Sequence, residues 1–262
     1  MTLAPDRART STMARVNPVA KLAATMVLTV PLVLTLDVVS AGAALLVELL
    51  LMPWAGLRWG EFWRRTWLVW ALAPLTGVTI ALYGRTSGQI YVEWLAVRVS
   101  DGSLELALAT TLRVLAIALP SVVLFASVDP TDLADGLSQI WRLPARFVLG
   151  ALAGLRMVGL FLDDWRALEL ARRARGVADR GRLRRFLGMA FALLVLSIRR
   201  GAKLATAMEA RGFGAPGPRT WARISTFGGR EWALIAVGAG IALVAVAAAL
   251  AVGTWNFILG PG

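Results

Sequence analysis

From Trp232 to Val252 the chain runs for 21 residues without a charged side chain. About 20 helical residues cross the roughly 30 Å of a bilayer's hydrocarbon core. A backbone in lipid must satisfy its polar groups within its own segment, so such a run can only be a helix or part of a closed barrel. Four further apolar runs repeat the signal at Leu22–Leu36, Val38–Pro53, Thr66–Tyr83 and Leu104–Val128. The first two arise because Leu22 to Leu57 is too long to cross once and Asp37 interrupts it. A hydrophobic content of 58% and a mean hydropathy of +0.67 exceed what a soluble domain carries. The expected fold is therefore all-α and polytopic, with about five transmembrane helices.

Charge placement sets the expected orientation. The net charge is +12, and between Arg142 and Arg223 lie 17 basic and five acidic residues, which hold the whole imbalance. Two shorter apolar runs, Phe147–Leu162 and Phe186–Ile198, flank a segment from Arg166 to Arg185 with eight arginines. Were both runs to cross the membrane, those arginines would lie outside, against the positive-inside tendency. Phe186–Ile198 is also short for a span, and Arg156 sits near the middle of Phe147–Leu162. The expected organisation is an N-terminal tail with transmembrane helices 1–4 over residues 1–128, a cytoplasmic coupling-helix domain over 129–230, and a last transmembrane helix over 231–262. Parity places the N-terminus and Arg58, Arg64 and Arg65 inside. The Gly84–Ser103 loop, with only Arg85 and Arg98, falls outside, as does the C-terminus. The first 21 residues are charged and Pro-containing and lack the pattern of a cleavable signal.

Several chemistries are excluded at this stage. Cysteine and histidine are both absent, which removes disulfides, thiolate and imidazole catalysis and the usual zinc or haem ligands. No Gly-Lys-Ser/Thr phosphate loop is present, so the chain is not expected to hydrolyse ATP itself. The acidic residues are scattered over helix starts and loops, with no convergent catalytic set. No catalytic residue, cofactor or metal site is expected.

The basic region reads as amphipathic helices. "DPTDLADGLSQIWRLP" opens with Asp129 as a helix cap and Pro130 at the first helical position, and closes before Pro144. Leu133, Leu137, Ile140 and Trp141 share one face by their spacing. Asp163–Arg175 and Arg199–Arg211 follow as helices stopped by Gly176 and Gly212, glycine being the favoured C-terminal cap. Each of these helices ends in the same triplet, Ala174-Arg175-Gly176 and Ala210-Arg211-Gly212, 36 positions apart. Arginine presents a rigid fork of donors suited to bidentate contact with carboxylate or carbonyl groups. Alanine and glycine beside it leave room for a partner's backbone.

The paired triplets, the early "NPVAKL", and the segments "DPTDLADGLSQIWRLP", "RFVLGALAGLRMVGLFLDDWRALELARRARG" and "RRGAKLATAMEARGF" together resemble the transmembrane T component of energy-coupling factor (ECF) transporters, ABC-type importers of vitamins and transition-metal ions. The likeness covers nearly the whole chain. It implies a non-catalytic subunit in the cell membrane that partners two cytoplasmic ABC ATPase subunits and a membrane-embedded substrate-binding S component. It also implies that Ala174, Arg175, Gly176, Ala210, Arg211 and Gly212 are the ATPase-docking residues. An ordinary ABC permease is the alternative, but it would carry one coupling loop and polar residues lining facing spans. A nucleic-acid binder is disfavoured because the basic region has no interleaved aromatic platform. Among the remaining features, Trp59, Trp63, Trp67 and Trp70 form a stripe that reads as membrane-interface anchors or a docking face. Gly150 and Gly154 would admit a close helix. Glu48 and Arg113, both within spans, read as a structural pair or a transport element.

Overall fold

The computed structural model describes residues 12–55, 59–84, 87–94, 97–176, 181–215 and 220–255. Arg58, Arg85 and Arg180 lie outside them. The chain divides into two compact units, one of Met1–Gly136 with Ser225–Gly262 and the other of Leu137–Ile224.

The first unit is a helical bundle whose element boundaries follow from local chemistry. Helix α1 (Pro18–Leu34) starts with Pro18 at its first position, and the Asn17 side chain accepts a hydrogen bond from the Val19 N–H at 3.0 Å. Helix α2 (Val38–Leu51) begins where Asp37 interrupts the apolar run. The Asp37 carboxylate accepts from the Ser40 N–H at 2.7 Å and the Ser40 hydroxyl at 2.6 Å. The polar break expected from the sequence is thus an N-cap, which satisfies donors that the hydrocarbon could not. Helix α3 (Trp59–Tyr83) is seven residues longer at its start than the expected third span. An antiparallel hairpin, β1 (Ile90–Trp94) and β2 (Val97–Ser100), then occupies the segment expected as a plain loop. Helix α4 (Asp101–Phe125) opens with a reciprocal Ser100–Ser103 capping box. Helix α8 (Gly229–Val252) opens with Glu231 accepting from the Gly228 N–H at 2.8 Å and the Asn17 N–H at 3.3 Å. The second bond ties its start to that of α1.

Helix α4 packs on α1, α2 and α3, and α8 packs on α1 and α2. Leu28, Leu32, Leu45, Phe62, Leu115, Leu119 and Ile241 meet in the core. Small residues set the closest approach: a Cβ on Gly238 of α8 would stand 2.8 Å from the Ala24 carbonyl oxygen of α1, so the two backbones can touch only through glycine. On α3, Phe62 and Thr66 face inward and are buried, while Trp59, Trp63 and Trp67 are exposed. Trp63 stacks at 5.6 Å between ring centroids on the half-buried Trp70. This is the geometry of an apolar outer face with an aromatic belt. Of the two readings of Glu48 and Arg113, the structural pair does not form. The Arg113 guanidinium donates to the Thr35 carbonyl, whereas both Glu48 carboxyl oxygens are buried, without a hydrogen-bond partner among the described residues, in an apolar cleft beside Ala24, Leu28, Leu119 and Ile241.

Helix α5 (Pro130–Gln139) starts as expected, with Asp129 accepting from the Thr131 N–H at 2.7 Å. Its buried side chains are Ala134 and Ser138, four apart, while Leu133, Leu137 and Ile140 are half-buried and Trp141 is exposed. Beyond it, the second unit is built on two long helices, α6 (Ala145–Ala174) and α7 (Arg182–Ala210), of 30 and 29 residues. Here the expectation of separate short segments is corrected. Phe147–Leu162 is continuous with Asp163–Arg175, and Phe186–Ile198 with Arg199–Arg211. Neither junction holds a proline or another residue able to stop a helix, and acidic or basic side chains alone do not end one. Helices α3, α4, α6 and α8 are long and apolar enough to cross a membrane, and α1 and α2 are shorter apolar helices. A Cβ at Gly150 or Gly154 of α6 would meet nothing within 4 Å, so no other described segment of this unit approaches α6 there.

Candidate functional site: two matched helix ends

The two Ala-Arg-Gly triplets fold into the same terminator. Helix α6 ends at Ala174, Arg175 is the C-cap with φ −88° and ψ 3°, and Gly176 has φ +67°. Helix α7 ends at Ala210, Arg211 caps with φ −90° and ψ 10°, and Gly212 has φ +74°. The Gly176 N–H donates to the Arg173 carbonyl at 3.0 Å, and the Gly212 N–H to the Glu209 carbonyl at 2.9 Å. At the second end the Phe213 N–H also donates to the Met208 carbonyl at 2.9 Å. The second end has both bonds of a Schellman motif, and the first shares its glycine bond; at each end glycine takes up the left-handed conformation that reverses the chain. The glycine in each triplet is therefore set by backbone geometry, and the arginine is fixed one residue before the reversal, at the tip.

All six triplet residues are exposed. Among the described residues neither the Arg175 nor the Arg211 guanidinium forms an ion pair, although the same helices pair many of their other arginines. Arg200 binds Asp164 through two bonds of 2.6 and 3.0 Å. Arg185 and Arg173 share the Glu169 carboxylate at 2.6 and 2.9 Å, and Arg166 reaches Asp163 at 3.3 Å. The triplet arginines are thus charges without an ion-pair partner among the described residues, at helix ends beyond the paired ones.

The ion pairs between the two helices were not visible in the sequence. Asp164 and Arg200 stand 36 positions apart, the same separation as Arg175 and Arg211, so each lies eleven residues ahead of its triplet arginine. That shared register points toward the Asp164–Arg200 pair, although Asp163 and Arg199 have the same separation, and the Glu169–Arg185 pair carries no such signal. A ring contact between Trp165 and Phe186, 5.6 Å between centroids, joins α6 and α7 on the Arg185 side. Gly188 gives room to the Arg172 guanidinium, whose Nη2 would stand 3.2 Å from a Cβ there. Outward-facing apolar side chains cover much of both helices: Phe147, Leu155, Val158 and Leu162 on α6, and Phe186, Phe191, Val195 and Ile198 on α7. Among the described residues no cluster of three or more acidic side chains is placed to hold a metal ion.

A bundle of apolar helices joined in sequence to a pair of long helices with exposed arginine tips defines a polytopic membrane protein. Residues 9–220 match the model of the CbiQ family, described as cobalt transport protein. The chain belongs to this family, that of the transmembrane T components of energy-coupling factor transporters. It is 30% identical over 183 residues to the energy-coupling factor transporter transmembrane protein EcfT of Limosilactobacillus fermentum, covering 64% of each chain. Against EcfT of Lacticaseibacillus paracasei the identity is 30% over 202 residues, 71% of this chain and 75% of the relative. Against EcfT of Staphylococcus aureus it is 25% over 145 residues, 51% of this chain and 54% of the relative. The chain thus spans 64% of the length of the first of these relatives and 54% of the last.

Proposed function

We propose that the protein is the non-catalytic energy-coupling subunit of an ECF-type importer. In this reading it links ATP hydrolysis by two cytoplasmic ATPases to the movement of a membrane-embedded protein that captures a vitamin or a metal ion. One observation carries the reading: two exposed arginines, without an ion pair among the described residues, sit just before left-handed glycines at the ends of two helices that are joined to each other by ion pairs. One such tip would suit one partner; two of the same geometry suit a pair of similar partners. An arginine held at a tip by the backbone, flanked by alanine and glycine, can enter a groove and form bidentate bonds there without first breaking a bond of its own. The outward apolar faces of α6 and α7 supply the second contact, for a partner within or against the membrane. In this arrangement the N-terminus and residues 129–230 lie on the cytoplasmic side, with the apolar stretch of α6 against the membrane and not across it, and the C-terminus lies outside, because that orientation keeps the basic region on the inner face.

Gentle solubilisation from native membranes, purification through a tag on this chain and mass measurement of the intact assembly test the proposal. The expected assembly holds two ATPase subunits and one small membrane protein per copy of this chain. A chain that purifies without ATPases, yet binds and transports a substrate by itself in vesicles, would contradict the proposal.

A further inference from the structure

Helices α6 and α7 are joined by two ionic links whose spacing differs sharply on the two helices. On α6 the linked residues, Asp164 and Glu169, are five apart, or about 7.5 Å of helix. On α7 their partners, Arg200 and Arg185, are 15 apart, or about 22 Å. Helices lying side by side would link residues at equal intervals, so α7 crosses α6, with one link on each flank of the crossing. The apolar run Phe186–Ile198 is the stretch between the two links. The Asp164–Arg200 link is the more constrained of the two. It is bidentate, which fixes the planes of both groups. The two links are similarly covered, with Arg200 and Asp164 38% and 20% exposed and Arg185 and Glu169 27% and 30%, so it is the bidentate geometry that sets the first apart.

The register of this link is the unexpected part. Asp164 precedes Arg175 by eleven residues, and Arg200 precedes Arg211 by eleven. From a common ionic joint, two helical arms of equal length, about 16 Å each, run to the two unpaired arginines. We propose that Asp164 and Arg200 form a positioning pair, a joint that sets the separation of the two arginine tips and makes the two arms move as one body. The Glu169–Arg185 link on the other flank opposes rotation about that joint. The structural part of this proposal stands on its own, and its consequence for transport rests on the ATPase-docking function proposed above. A one-residue insertion in either arm would rotate its tip by about 100°, so the length of each arm fixes the direction in which its arginine faces.

The chain contains no cysteine, so spin labels can be placed at chosen points in the full-length protein. Leu170→Cys and Thr206→Cys are exposed positions six residues beyond the joint on each arm. In the assembled transporter reconstituted in nanodiscs, the distance between the labels should form one narrow peak. Asp164→Asn and Arg200→Gln should each broaden it, raising the population outside the main peak about five-fold, the effect of losing one partly exposed ion pair. The charge swap Asp164→Arg with Arg200→Asp should restore the peak, a recovery that a general loss of folding does not show. The single variants should retain the ATPases, because both tips are intact, but lose most of their ATP-driven uptake, and the swap should recover it. Unchanged distances in the single variants would overturn the proposal, as would broadened distances with undiminished uptake. Failure of the docking function itself is read separately, from ATPase retention in Arg175→Ala/Arg211→Ala.

Discussion

Replacing Gly212 by alanine isolates the part of the triplet set by backbone geometry. Gly212 has φ +74°, and a Cβ there would meet no atom within 4 Å. The substitution therefore causes no clash with a neighbour, and its whole cost is conformational, about 1–2 kcal/mol for an L-residue held in the left-handed region. The chain can avoid that cost by giving up the reversal, which removes the Gly212-to-Glu209 and Phe213-to-Met208 bonds and frays the last turn of α7. An opening cost lower by about 1–2 kcal/mol corresponds to roughly 5- to 30-fold faster amide exchange in that turn. Gly201, in the middle of α7, provides the internal control. A Cβ there also meets nothing within 4 Å, but the residue is helical. The same change at Gly201 should stabilise α7 by about 1 kcal/mol. Hydrogen–deuterium exchange of peptides covering 203–215 should show faster exchange in Gly212→Ala, intermediate behaviour in Gly212→Asn, since asparagine tolerates this conformation best after glycine, and slower exchange in Gly201→Ala. Equal exchange in Gly212→Ala and the unmodified chain would refute the argument that geometry, and not composition, places glycine in the triplet.

Three further outcomes follow from other parts of the molecule. Glu48→Leu should raise the thermal stability of the detergent-solubilised protein, since removing a buried carboxyl without a partner relieves a cost of about 1–3 kcal/mol; a clear loss of stability would mean that Glu48 is bonded in the membrane. The Tyr91 hydroxyl donates to Asp101 at 2.7 Å, and this hydrogen bond, with the carboxylate's charge, raises the Tyr91 pKa above the ordinary tyrosine value. The stabilisation from this contact is therefore complete below the ordinary tyrosine pKa and is lost as pH rises through the raised one; tyrosinate absorbance should show a late-titrating tyrosine that Asp101→Asn returns to the ordinary range. Single cysteines labelled in intact cells should be reached from outside at 87–94 and protected at residues 140, 184 and 203; outside labelling at 184 would contradict the proposed orientation.

Much of the bundle was legible because hydrocarbon leaves the backbone few options. An uncharged run of 21 residues fits a crossing helix, since a barrel strand needs only about 10, and Asp37, where an apolar run too long for one crossing had to be divided, is an N-cap. The triplet ends were legible for a related reason, since glycine after a periodic segment marks a left-handed terminator. What the sequence concealed depends on partners distant in the chain. The hairpin at residues 90–100 arises from pairing across strands and a tie between Tyr91 and Asp101, neither of which leaves a periodic trace in so short a segment. The unity of α6 was hidden because Asp163 and Asp164 resemble a helix start, whereas Asp164 is inside the helix and serves the bond to Arg200. Glu48 and Arg113 share a hydrophobic setting, which suggested a pair, but being within spans says nothing about which faces meet.

The central claim is that Arg175 and Arg211 are the points where two ATPases hold this chain, and ATPase retention in a charge-matched set of variants tests it most directly. Truncating an arginine that fills a partner groove costs on the order of 2 kcal/mol, roughly thirty-fold in affinity. With two grooves engaged by one chain, the surviving contact benefits from tethering, so either single variant should still assemble. The control is Arg184→Ala with Lys203→Ala, which removes the same charge from exposed positions of α7 that form no ion pair among the described residues. In purification from membranes, Arg175→Ala/Arg211→Ala should lose the ATPases while the control retains them. Equal retention in the two double variants, or equal loss, would contradict the claim that these two helix ends are the docking points.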